Sequence, residues 1–165
     1  MNVWLIAAVS ADGKIAQSSN QSSLDWTSKE DTRFFVEKTK EAGVVIMGRK
    51  TFDTIGKPLK GRRIIVMSRE PKESGMEGVQ YSTLPPKTLL DELALQGVTT
   101  VAIAGGSSIY SQFLHDGLVT DVFLTVEPCL FGDGVPLASG FGRIDMSLVD
   151  VTRLGEQAIV LHYEM

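Results

Sequence analysis

Val98-Thr99-Thr100-Val101-Ala102-Ile103-Ala104-Gly105-Gly106-Ser107-Ser108-Ile109-Tyr110 is the stretch that decides the fold class. Its apolar, β-branched first half predicts a strand over 98–103, and the glycine pair followed by serines predicts a helix reaching about His115. A strand that runs through a glycine turn into a helix is the repeating unit of a parallel sheet covered by helices. The turn also presents bare backbone N–H groups at the positive end of a helix dipole, where a pyrophosphate fits; it serves equally well as a tight connection with no ligand. It is not the common dinucleotide fingerprint, because the third glycine is missing and no such motif follows the first strand.

The same alternation extends in both directions. Val3 to Val9 is a continuous apolar run ending at Ser10-Ala11-Asp12-Gly13, which predicts a buried strand and a turn; the polar stretch 17–23 then predicts a mobile loop. A helix is expected over 27–42 with Gly43 as its C-cap, followed by a strand at 44–47, a short helix from Gly48, a strand at 63–67 and another at 78–81. After Pro85-Pro86 comes a helix over 87–96. The tail differs, with strands at 121–126, 147–154 and 157–163, the last two forming a hairpin around Gly155-Glu156. The order implies a single α/β domain over 1–165, its sheet parallel at the centre with antiparallel strands at one edge.

Composition narrows the function. At 165 residues, with 43% hydrophobic and 22% charged residues, the chain is an ordinary globular protein, and its net charge of −4 offers no footprint for nucleic acid. One cysteine, Cys129, excludes an intramolecular disulfide, and with two histidines it makes a poor zinc set, so no metal site is expected. The apolar N-terminal run lacks a basic leader and is far shorter than the roughly 20 residues that span a bilayer, so a reducing cytoplasm and no membrane contact are expected. No serine-histidine pairing points to a hydrolase, and His115 and His162 are expected at surface or edge positions.

Several groups converge on the strand ends, where open α/β sheets collect ligands. Gly48-Arg49-Lys50-Thr51 repeats the strand-to-helix placement with cations and a hydroxyl, and Ser68-Arg69 ends the next strand. Each alone reads more readily as a solvated basic loop. Together with the glycine pair they favour an anionic cofactor, and a 2′-phosphate would use Arg49 or Arg69. Asp31 is the carboxylate best placed for chemistry. Both Thr27-Ser28-Lys29-Glu30 and Ser28-Lys29-Glu30-Asp31 have capping-box spacing, so Asp31 also reads as a helix cap. With Thr27 as cap, Asp31 falls one place beyond the box, and its neighbours Phe34 and Phe35 turn it toward an apolar cleft. Burial there raises its pKa while the helix N-terminus lowers it.

These residues resemble dihydrofolate reductase from Val3 through about Gly134. The first strand with Leu5-Ile6-Ala7-Ala8, then Trp26, Asp31 and Phe35, falls in that family's order, and Val45-Ile46-Met47-Gly48-Arg49-Lys50-Thr51-Phe52 through Ile55-Gly56-Lys57-Pro58-Leu59-Lys60-Gly61-Arg62 is its most specific match. The resemblance implies a dihydrofolate reductase-like three-layer fold with helices on both faces of a mixed, mostly parallel sheet. It implies Asp31 as the acid that holds the pterin and supports protonation of N5, with Trp26, Thr125 and Tyr110 beside it. Ile6, Ala7, Phe35, Ile55 and Leu59 would line the substrate site, and Arg62 would pair with the glutamate carboxylate of folate. NADPH would lie against Ala8, Ile15, Gly48, Arg49, Lys50, Thr51, Met67, Ser68, Arg69, Ala104, Gly105, Gly106, Ser107, Ser108, Ile109 and Tyr110.

Ser10-Ala11-Asp12-Gly13-Lys14-Ile15-Ala16, the longer loop before Trp26, and Phe131-Gly132-Asp133-Gly134-Val135-Pro136-Leu137 resemble instead the reductase domain of bacterial riboflavin biosynthesis, which shares fold and NADPH but reduces a ribosylamino-pyrimidine phosphate. Asp25 stands where the folate enzymes usually have proline, and Ser107 where the cofactor turn often has glycine. The expectation is an NADPH-dependent oxidoreductase acting on dihydrofolate, with the loop 16–25 as a lid and monomer and homodimer both open. Its rivals are the riboflavin-type reductase and a nucleotide-binding protein without turnover.

Overall fold

The computed structural model describes all residues, 1–165. The chain opens with β1 (Asn2–Ser10) and a short β2 (Lys14–Ala16), then a 3-10 turn at Ser23–Asp25 and α1 (Lys29–Ala42). β3 (Val44–Gly48), α2 (Arg49–Ile55), β4 (Arg63–Met67), β5 (Val79–Ser82), α3 (Pro86–Leu95), β6 (Thr100–Ile103) and α4 (Ser107–His115) continue the alternation. β7 (Asp121–Glu127), β8 (Val135–Pro136), β9 (Ser147–Leu154) and β10 (Ala158–Glu164) complete it.

Eight strands form one sheet in the order β5-β4-β3-β6-β1-β7-β10-β9. From β5 to β7 every pairing is parallel, and only the two pairings of β10, with β7 and with β9, are antiparallel, so the expected arrangement is the one observed. The run Val44-Val45-Ile46-Met47 is apolar throughout because both faces of β3 are covered. Val44 and Ile46 pack with Leu89, Leu93 and Phe113 from α3 and α4, whereas Val45 and Met47 pack with Phe52 of α2. Trp4, Ile6 and Ala102 meet Phe34, Phe35 and Ala42 of α1 on that second face. Each such fully buried aliphatic contributes on the order of 1.5–3 kcal/mol.

Three expectations shift. β6 begins at Thr100, not Val98, because the Val98 amide donates to Leu93 O and closes the end of α3. α1 begins one residue later than Thr27 allows, since Ser28 is its N-cap. His162 is not at the sheet edge; it lies on β10, stacked on Phe123 with centroids 4.2 Å apart and bonded to Asp121 Oδ1 at 2.9 Å, while β9 forms the edge.

A separate two-stranded sheet pairs β2 with β8 and was not foreseen. It ties the segment after β1 to the segment after β7. The Asp12 carboxylate reinforces the tie by accepting Ser10 Oγ at 2.6 Å and the amides of Phe131 and Gly132 at 3.0 and 2.8 Å. The Ser10 hydroxyl and the Phe131 amide hold that carboxyl down at about 2, well below the usual range. Gly134 is required here: its φ is +158°, and a β-carbon on it would sit 2.5 Å from the Ala16 carbonyl oxygen. Gly134→Ala is therefore expected to open the β2–β8 pairing and cost about 1–3 kcal/mol. Chemical denaturation measures this, and an unchanged midpoint would show that the pairing carries no stability.

Candidate active site

A cavity of about 1370 Å³ lies at the carboxyl ends of β1, β3, β4 and β6. Single-ligand sites span about 300–1,000 Å³, so this one has room for two molecules side by side. It gathers Ile6, Ala7, Ala8, Ile15, Asp31, Phe35, Gly48, Arg49, Lys50, Thr51, Ile55, Leu59, Arg62, Met67, Ser68, Arg69 and the whole of Ala104 to Tyr110. Of the residues expected there, only Trp26 and Thr125 stand behind its wall.

The geometry of Asp31 follows from how α1 starts. Ser28 Oγ accepts the Asp31 amide at 3.1 Å, as an N-cap does. A capping box would have Asp31, at N3, return its carboxylate to the Ser28 amide. That amide donates instead to Glu127 Oε1 at 2.8 Å, and the Ser28 hydroxyl donates to the same oxygen at 2.7 Å. The Asp31 carboxyl is thus left to line the cavity while only 8% exposed. Burial pushes its pKa up; the Thr125 hydroxyl opposes the rise, the Glu127 charge adds to it, and the Thr27 hydroxyl opposes it again.

At the other end of the cavity Ile55 and Leu59 supply apolar wall and Arg62 a guanidinium. Arg62 Nη1 donates to Thr39 Oγ1 at 2.7 Å and Nε to Lys60 O at 3.3 Å, which fixes the plane of the fork and leaves Nη2 open. No carboxylate of the protein pairs with it. Partial burial lowers its pKa, though an arginine stays charged at neutral pH.

The glycine turn between β6 and α4 has the features a nucleotide phosphate needs. Gly105 has φ +102° and is joined to Gly106 by a cis peptide. The amides of Ser107 and Ser108 have no acceptor within the protein, and Gly106 caps α4 without a side chain. A β-carbon at Gly106 would lie 3.2 Å from Thr51 Oγ1, and one at Gly48 3.0 Å from Ile109 Cγ1. The bare backbone is therefore what lets the two loops approach each other, and Gly48 N donates to Gly105 O at 2.7 Å across the gap. Arg49, Lys50 and Arg69 reach the same space, exposed and outside every ion pair. The donor set fits a phosphorylated dinucleotide.

Tyr110 lines the cavity but its hydroxyl is committed, donating to Ile6 O at 2.7 Å, and burial pushes its pKa up. Thr125, 1% exposed on β7, supports Asp31 from behind. Trp26 packs edge-on against Phe131 at 4.9 Å, and its buried Nε1 has no acceptor in the protein. Sequence reasoning missed Glu127. An acidic residue ending the apolar run 121–126 was a visible signal, but its partner Ser28 lies 99 residues away. Val36, Thr54 and Leu84 also line the cavity unforeseen.

The cleft at the parallel strand ends, with room for two ligands and lined by one buried acid, is the candidate active site. Residues 2–127 match the family model for dihydrofolate reductase, and the chain belongs to the dihydrofolate reductase family. Dihydrofolate reductase of Staphylococcus aureus is 31% identical over 136 residues, covering 76% of this chain and 79% of that enzyme. The uncharacterized protein YwjB of Bacillus subtilis is 25% identical over 96% of this chain and 95% of its own. Among solved structures, RibD of Acinetobacter baumannii superposes with a TM-score of 0.86 at 23% identity over 99% of this chain, which spans 57% of that protein. No helix is long and apolar enough to cross a membrane.

Proposed function

We propose that this protein reduces 7,8-dihydrofolate to 5,6,7,8-tetrahydrofolate with NADPH. The observation that carries the reading is that one cavity holds both a buried carboxyl, Asp31, and a guanidinium without an acidic partner, Arg62. A folate needs both: a polar group for the pterin at one end and a cation for the glutamate carboxylate at the other. Phe35, Ile55 and Leu59 supply the apolar wall between them. Gly105 to Ser108, Thr51, Arg49, Lys50 and Arg69 would hold the cofactor phosphates. When bound, NADPH supplies a hydride, which C6 of the pterin accepts.

The chain's own residues orient and protonate. Asp31 holds the pterin's amidine edge, and its carboxyl polarises the cleft so that a proton reaches N5 from water. The wall of Ile6, Ala7 and Phe35 excludes bulk water, which strengthens every polar contact inside. A second reading, reduction of a ribosylamino-pyrimidine phosphate, is favoured by the Ser10 to Ala16 segment and its clamp on Phe131 and Gly132. NADPH absorbance followed with each substrate tests both. Oxidation with dihydrofolate, suppressed by an antifolate, is expected; oxidation with the pyrimidine alone would install the second reading, and cofactor binding with neither would make the protein a nucleotide binder.

A further inference from the structure

Glu127 sits at the end of β7 with only 4% of its surface exposed, and its observed partners belong to the cap of α1. Buried carboxylates are costly unless well bonded, and this one accepts the Ser28 amide at 2.8 Å and the Ser28 hydroxyl at 2.7 Å with a single oxygen. The Ser28 hydroxyl in turn accepts the Asp31 amide at 3.1 Å. The sequence Ser28-Lys29-Glu30-Asp31 has the spacing of a closed capping box, in which the Ser28 amide would belong to the Asp31 carboxylate. In the structure that donor is already taken.

We propose that Glu127 is a positioning residue for Asp31: by occupying the Ser28 amide it keeps Asp31 out of the capping box and delivers its carboxyl to the cavity. The assignment rests on the reading of Asp31 as the acid of the reacting site. Helix capping and catalysis compete for the same carboxylate, and a second acid from a distant strand resolves the competition in favour of the cleft.

The arrangement has an electrostatic consequence. The groups facing the Asp31 carboxyl are the Thr27 hydroxyl from the preceding turn, the Thr125 hydroxyl and the Glu127 carboxylate from β7, and Tyr110 from α4. None is a cation, and Glu127 is the one other carboxyl among them. Its repulsion joins burial in favouring protonated Asp31, while the two hydroxyls favour the ionised form. Glu127 therefore acts twice, once on where the acid points and once on whether it holds its proton.

Two substitutions separate these effects. Glu127→Gln keeps an oxygen for the Ser28 donors and removes the charge, so Asp31 should titrate at lower pH by carboxyl ¹³C NMR, and the alkaline limb of the kcat profile should move down with it. Glu127→Ala releases the Ser28 amide, which recaptures Asp31; kcat should fall at least about tenfold with a smaller change in KM, and the Gln variant should restore most of it. An Asp31 midpoint at the wild-type pH in both variants, or an unaltered kcat in the Ala variant, would overturn the inference and leave Glu127 as a simple clamp on the helix. Because NMR reads Asp31 without turnover, the expected shifts in a protein inactive on dihydrofolate would leave the inference standing and sink the proposed function instead.

Discussion

Asp31→Asn is expected to slow hydride transfer to dihydrofolate by about 10²- to 10⁴-fold at pH 7, the range that loss of a positioned acid usually costs, and at the same time to stabilise the fold. Asparagine keeps the size and one acceptor but has no proton to release to the cleft. The stability gain follows from the direction of the pKa shift. Burial raises the folded-state pKa of Asp31 above its unfolded value of 3.8, so between those two pH values the folded state binds more protons than the unfolded one. Stability then falls as pH rises through that window, and at neutral pH the folded protein carries the penalty of burying a carboxyl that ionises freely in the unfolded chain. The amide removes the penalty. Unfolding curves should therefore separate in favour of the variant at pH 7 and converge below about pH 4, where both side chains are neutral. Near-normal turnover by Asp31→Asn would end the case for this residue as the acid; coincident unfolding curves at pH 7 would show that it is solvated.

Arg62→Ala should act on binding. Loss of a charge-assisted contact to a carboxylate costs on the order of 2 kcal/mol, so KM for dihydrofolate should rise about 30-fold with little change in kcat. Only the guanidinium fits the role. Its fork is already oriented by Thr39 Oγ1, and a lysine would bring charge without the second donor. The matched control is a pterin substrate lacking the glutamate: its KM should be the same for both proteins. An unchanged KM for dihydrofolate would remove the argument that this end of the cavity reads a carboxylate, and the pyrimidine substrate would become the better reading.

Much of this was legible in the residues. The parallel core could be read because Val44-Val45-Ile46-Met47 and Ile64-Ile65-Val66-Met67 are apolar without alternation, which only a strand covered on both faces tolerates. The glycine turn could be read because strand, Gly105-Gly106 and helix follow without a break. What escaped is non-local. The three residues of β2 and two of β8 carry no periodicity of their own, and their pairing exists only once β1 and β7 lie side by side. The choice between Thr27 and Ser28 as the cap was decided by Glu127, a partner that local spacing cannot reveal. Thr125 was found by resemblance alone; nothing in its neighbours distinguishes a hydroxyl turned toward an acid from one lost in the sheet.

The hydrogen bond from Gly48 to the Gly105 carbonyl, with Ile109 filling the place a side chain would take, ties the two loops flanking it to each other. Neither can be exchanged alone. A chimera that imports the segment after β3 from a relative, to change cofactor preference, inherits a surface cut to fit the donor's own partner loop, so the workable module for engineering is the pair, transplanted together although Gly48 and Gly105 lie 57 positions apart in sequence.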